Sequence, residues 1–186
     1  MKKFIKTAGA AVLMGAMLIG MTGCKVGALE PSEEIMQTIL DADFKDLDEY
    51  LDEDDDLYDE QLDLLKEMEG EGLDWDDLFE DATFKYQTNS LKQKGDSTSL
   101  TFDIDLDGDD YEFEITLVED DGEFYIKDNE KFLVSVMELY FDAMSDSGNS
   151  KQKSQVKSLM EYYDTNKPAK LAQMVYDFEV GNSSNK

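Results

Sequence analysis

A chain of 186 residues with 45 acidic side chains, 17 lysines, no arginine and no histidine carries a formal charge of −28. Without imidazole there is no Ser-His-Asp or Cys-His pair and no histidine-ligated zinc, and without guanidinium there is no bidentate clamp for phosphate or carboxylate. With no basic surface to release counterions from a polyanion, nucleic acid is excluded as a partner.

The chain opens with Lys2, Lys3 and Lys6, continues through small and apolar residues from Thr7 to Ile19, and reaches Met21-Thr22-Gly23-Cys24. Positive residues, a short apolar stretch and small residues before a cut are the pattern of a secretory signal peptide, predicted over residues 1–23. Its end resembles the lipobox of bacterial lipoproteins, with Met21 where that family usually has Leu. The resemblance implies that Cys24 carries a diacylglyceryl group and becomes the first residue of the mature chain. Two acyl chains hold a protein on a membrane where one binds reversibly. The expected location is therefore the extracytoplasmic face of the cell membrane, reached through a lipid anchor rather than a spanning helix. Removing Lys2, Lys3 and Lys6 leaves 14 lysines against 45 acids, a charge of −31. Cys24 is the only thiol, so the exported body has no disulfide and must be held by packing. Residues 24–31 form a tether whose last residues, with Ser32, reach roughly 28 Å when extended.

From Ser32 the pattern turns helical. Ser32 reads as an N-cap followed by Glu33 and Glu34, and Ile35, Met36, Ile39 and Leu40 share one face. A short helix restarts at Asp43 with Phe44, Leu47, Tyr50 and Leu51 inward. Another is predicted over Leu57 to Met68, ended by Gly70 or Gly72, with a helical turn around Trp75 to Phe79. Between Asp41 and Asp81 the chain carries 21 of its 45 acids, densest over residues 52–56. Such a run reads as a solvated face, with a cation surface or a docking patch for a basic partner as the functional alternative.

At Ala82 the period changes to two. Phe84 and Tyr86 begin a strand, and Ser90 to Ser97 reads as a polar loop around Gly95. Leu100, Phe102, Ile104 and Leu106, then Tyr111, Phe113, Ile115 and Leu117, flank Asp107-Gly108, a strong hairpin signal. A two-residue turn pairs Ile104 with Tyr111, Phe102 with Phe113 and Leu100 with Ile115. It also sets Asp103 opposite Glu112 and Asp105 opposite Asp110. A second turn at Asp121-Gly122 leads to a strand over Phe124, Tyr125 and Ile126. Its facing stays open, because two-residue and three-residue loops give opposite registers.

The last third is helical again. Asp128 or Asn129 caps a segment whose Phe132, Leu133, Val136, Met137, Tyr140, Phe141 and Met144 cover most of its circumference. After Ser145 to Ser150, a helix carries Val156, Leu159, Met160 and Tyr163. Pro168 opens a final helix with Leu171, Met174, Val175 and Phe178 inward, ended by Gly181, with residues 182–186 a frayed tail. The expected fold class is α+β, one globular domain over residues 32–181. Short N-terminal helices precede a central antiparallel meander of about three to four strands, and C-terminal helices pack on it. Over Ser32 to Asp128, most visibly in Asp41-Ala42-Asp43-Phe44-Lys45-Asp46-Leu47-Asp48 and in 117–126, this order resembles the NTF2-like (cystatin-like) domains of small bacterial lipoproteins.

Asp103, Asp105, Asp107 and Gly108, with Glu114 six residues on, satisfy the EF-hand loop pattern. The flanks alternate as strands, however, and in a hairpin Asp103 and Asp107 stand about 13 Å apart. Calcium is therefore the disfavoured reading, and no metal ligand or other cofactor is assigned. For acid-base chemistry only carboxylates and tyrosines are available, and Asp142 within the apolar helix is the most suggestive. Its plainer reading is the exposed edge of that helix. Trp75 reads as a core anchor, with sugar stacking as the alternative. No catalytic residue is assigned, and Cys24 is the only site, for lipidation. The expectation is a membrane-anchored, non-catalytic binding domain with an envelope protein as partner. A carboxylate-dependent envelope hydrolase or isomerase stands second, and a low-affinity divalent-cation binder third.

Overall fold

The computed structural model describes residues 27–44, 46–51 and 78–183. The segment 1–23, Cys24, the acidic run 52–56, the helix expected over 57–68, Trp75 and residues 184–186 lie outside them. The described residues form an α+β fold of four helices and an open antiparallel sheet of five strands, one more than the upper expectation.

Helix α1 spans Leu29–Leu40 and begins three residues before the expected cap. Ser32 lies inside it, buried, with Oγ donating to the Ala28 carbonyl at 2.7 Å. Bonding back to position i−4 leaves a serine neutral within a helix, so it marks no boundary here. Ala28 is itself fully buried, so the body begins before residue 32. Ile35, Met36, Ile39 and Leu40 face inward as their spacing predicts. The chain then turns through Ala42 into a 3-10 turn, Asp46–Tyr50, which buries Phe44, Leu47 and Leu51.

Strands β1 (Thr83–Tyr86), β2 (Lys92–Lys94), β3 (Ser97–Leu106), β4 (Asp109–Asp120) and β5 (Glu123–Ile126) follow. The polar loop expected over 90–97 thus contains a short edge strand, β2, with all three residues exposed. An edge strand of this kind has no apolar alternation to betray it. β1 and β2 share one side of β3, opposite residues 102–105 and 97–99. Between them Ser90 Oγ fills the missing rung by accepting from the Thr101 amide at 2.9 Å. On the other side of β3 the full hairpin with β4 has the predicted register: Ile104 pairs with Tyr111, Phe102 with Phe113 and Leu100 with Ile115. Both hairpin turns have two residues at positive φ, Asp107 (54°) with Gly108 (91°) and Asp121 (49°) with Gly122 (90°). That is the I′ geometry which Asp-Gly favours and which matches the strand twist. The second turn therefore has two residues, pairing Leu117 with Ile126 and turning Ile126 inward.

Asp128 caps α2 (Asn129–Asp146), accepting from the Lys131 amide at 3.0 Å. Asn149 and Gln152 form a reciprocal capping box at the start of α3 (Ser150–Tyr162). α4 (Pro168–Ser183) opens with proline as predicted and runs past Gly181. Its buried positions are Leu171, Ala172, Val175 and Tyr176, whereas Phe178, expected inward, is 50% exposed. The inward face is thus rotated by about one position. α2 lies at the centre, packed on β4, α3 and α4. Tyr140 joins the two ends of the described chain: its ring meets Phe44 and Phe79, and its hydroxyl donates to the Ile39 carbonyl at the end of α1.

Candidate functional site

The sheet is lopsided, and that asymmetry leaves a cavity among the described residues. β4 has twelve residues, but β5 pairs only with Leu117–Asp120. Beyond Ile126 the chain leaves the sheet at Lys127 and enters α2, which runs back beside the uncovered half of β4. A half-open groove of about 670 Å³ lies between them. One wall is the β4 edge at Asp110, Glu112, Glu114 and Thr116. The other is the stripe Lys131, Ser135, Glu138 and Asp142. Spacings of four, three and four place that stripe on one helical face. It is the polar seam of a helix otherwise buried through Phe132, Leu133, Val136, Met137, Tyr140 and Phe141.

The far end of the groove is pinned by contacts between α2 and the hairpin tip. Tyr111 Oη donates to Asp146 Oδ2 at 3.4 Å, and Ser147 Oγ donates to Asp109 Oδ2 at 3.2 Å. The near end is closed in the core by Phe113 against Phe132, edge to face at 6.0 Å.

The groove has two electrostatic ends. Lys127 and Lys131 stand where α2 begins, with Asp128 between them, and Asp110, Glu138 and Asp142 stand toward the hairpin tip. Burial, then the neighbouring Glu138 and Asp146 carboxylates, push the Asp142 carboxyl up to about 6. Burial also raises Glu138. Tyr111 is pushed up to about 12, first by burial and then by Asp146. These shifts share a cause: desolvation and like charge both disfavour the anion. The Ser135 hydroxyl donates to the Lys131 carbonyl at 2.9 Å, one turn back on the same helix.

The acidic hairpin face is exposed at Asp105, Asp110 and Glu112, and one pair of its opposed carboxylates is bridged by a neutral side chain. Asp103 does oppose Glu112, and like charges in that position destabilise. Gln87, just after β1, places its amide nitrogen between them, donating to Asp103 at 2.5 Å and to Glu112 at 2.8 Å. Lys85 stands 3.6 Å from Asp103, and Lys92 stands 3.7 Å from Glu114. The two amide hydrogens do what a cation would otherwise do. Among the described residues, no group of three or more His, Cys, Asp or Glu side chains could hold a metal ion.

Asp142 thus falls in the groove. Asp103, Asp105 and Asp107 fall on the hairpin outside it, while Cys24 and Trp75 lie beyond the described residues. Sequence reasoning missed Gln87, because the partner of β1 was not assigned. It also missed the open half of β4, although a four-residue strand after a twelve-residue one, followed at once by a capping Asp128, was a usable signal. Compared with known proteins, the chain matches no family model, no curated protein and no solved structure.

Proposed function

We propose that this chain is a lipid-anchored, extracytoplasmic lipoprotein whose folded part is a non-catalytic interaction domain on an NTF2-like (cystatin-like) frame, with an envelope protein as partner. The signal-like residues 1–23 ending at the single Cys24 support the anchor. No helix among the described residues is long and apolar enough to cross a membrane. The order of short helices, antiparallel meander and Asp-Gly turns supports the frame.

The observation that carries the interaction reading is the filled interior. Phe44, Phe102, Tyr140 and Phe141 are all fully buried inside one continuous core. An enzyme of this frame would need an apolar pocket around an isolated carboxylate. The groove is instead half open and walled by several acids. The second reading, a carboxylate-dependent hydrolase or isomerase, rests on Asp142 and its carboxyl near 6.

Fractionation of envelopes containing wild type and Cys24→Ser tests the proposal. Wild type is expected in the membrane with acyl mass on Cys24, co-purifying a defined partner after detergent extraction. Cys24→Ser is expected to leave the membrane and lose the partner. A Cys24→Ser protein still held in the membrane contradicts the anchor. Turnover of envelope substrates abolished by Asp142→Asn would replace the interaction reading with the enzymatic one.

A further inference from the structure

Among the described residues, β4 on the side away from β3 is paired from Leu117 to Asp120 and bare from Asp109 to Glu114. One hydrogen bond fixes which backbone groups that bare edge offers: the Lys127 amide donates to the Thr116 carbonyl at 3.0 Å. In an antiparallel ladder a residue's N–H and C=O point the same way, and successive residues alternate. Asp110, Glu112 and Glu114 therefore aim both groups into the groove, while Tyr111, Phe113 and Ile115 bond to β3. The opposite edge of β3 obeys the same parity, with the Thr101 carbonyl accepting from the Gln87 amide at 3.0 Å. Among the described residues, no hydrogen bond crosses the groove to the three outward residues of β4.

An open edge is a template for another strand, and proteins usually blunt it with charges or cover it. Here two of the three outward side chains that could blunt it are engaged elsewhere. Glu112 is held by Gln87 and Glu114 lies beside Lys92, both on the opposite side of β3 from the groove. α2 stands off far enough to leave the cavity between its polar stripe and the strand. The bare stretch is about 20 Å long, the length of a strand of five or six residues.

Charge selects the occupant. Asp110, Glu138 and Asp142 line the end near the hairpin tip, with Asp109 and Asp146 beside them. At the other end Lys131 and Lys127, whose ammonium donates to Ser97 Oγ at 2.6 Å, offset Asp128, so the uncompensated acids lie toward the hairpin tip and draw a cation there.

We propose that the bare edge of β4 takes up an extended, lysine- or arginine-bearing segment of the partner protein as an added strand in line with β5, its cationic side chains at the Asp110–Asp142 end. This rests on the interaction-domain reading and names the chemistry of the partner. Backbone hydrogen bonds to Glu112 and Glu114 give the affinity, and the acids give the selectivity.

The test uses the full chain and a synthetic hexapeptide of alternating valine and threonine with two lysines at one end. Calorimetry should give saturable binding, and the amides of Glu112 and Glu114 should gain hydrogen-exchange protection. Methylating the peptide's alternate backbone nitrogens, or replacing its lysines by glutamates, should each weaken binding at least tenfold. Ser135→Lys should do the same by filling the groove and placing a positive charge beside the acids. Glu112→Pro removes an outward N–H without touching the β3 ladder and should also weaken it, with circular dichroism reporting folding for both variants.

Equal binding of the N-methylated peptide would mean charge attraction alone and would overturn strand addition. So would the absence of saturation at millimolar peptide. If Ser135→Lys still captures the partner that wild type captures from envelopes, the groove assignment falls and the interaction reading stands. If the peptide binds with the expected protection but no partner is captured by wild type, strand addition stands and the wider reading falls.

Discussion

Replacing Asp142 by Asn keeps the side chain's volume in the groove and removes a carboxyl held near 6 by burial, Glu138 and Asp146. The unfolded chain binds that proton at the ordinary value of 3.8. Between those two values the folded state holds more proton than the unfolded state, so stability falls as pH rises. The difference of about two pH units corresponds to about 3 kcal/mol at ~1.36 kcal/mol per unit. Asp142 is only partly buried, and solvent screening reduces this to about 1–2 kcal/mol. Urea unfolding of wild type and Asp142→Asn, at pH values from about 3.5 to 8, isolates the effect, because the other acids are common to both proteins. The gain in stability from the substitution should be smallest below pH 4, grow as pH rises through 6, and level off above pH 7. Adding Glu138→Gln should give less than the sum of the two single gains, since each carboxyl raises the cost of the other. A difference independent of pH would refute the desolvated environment assigned to this end of the groove, as would one that shrinks toward neutrality.

Tyr140→Phe removes a buried hydroxyl that donates to the Ile39 carbonyl and leaves an acceptor at the end of α1 without that donor. The cost should be about 1–3 kcal/mol, read as a lower urea midpoint with an unchanged slope. Gln87→Leu takes the amide from between Asp103 and Glu112. It should lower the thermal midpoint and create a calcium response: millimolar calcium should raise the midpoint of the variant and leave wild type unmoved. A calcium shift in wild type of the same size would show that the amide does not neutralise the pair. Gly108→Val places a β-branched residue at φ 91° and should cost about 1–3 kcal/mol. It should leave peptide affinity unchanged, since Gly108 does not line the groove.

The parts of this fold that were legible in the sequence are those fixed by local chemistry. Asp107-Gly108 and the alternation of Leu100 to Leu117 left one register in which every buried position is apolar, and β3 and β4 adopt it. The β4–β5 register depended on loop length, which the sequence left open until the φ values of Asp121 and Gly122 are known. Boundaries failed where a residue type has two uses. Ser32 can cap a helix or bond back within one, and it does the latter. The inward face of α4 failed for a packing reason. Ala172 and Tyr176 occupy the interior that Met174 and Phe178 were expected to share with Leu171 and Val175. The groove belongs to neither local pattern. Asp142 was legible as the odd acid in an apolar helix, but the groove exists only because β5 stops short and α2 returns along β4.

The most direct measurement is site-specific photocrosslinking in intact cells. A photoreactive phenylalanine derivative would replace Lys131, exposed at the rim of the groove, or Lys157 on the exposed face of α3. Expected is one discrete protein adduct from position 131, none from 157, and loss of the adduct when Cys24→Ser releases the chain from the membrane. An adduct from 157 with none from 131, or an adduct at 131 that survives Cys24→Ser undiminished, would contradict a membrane-anchored domain that binds its partner at the open edge of β4.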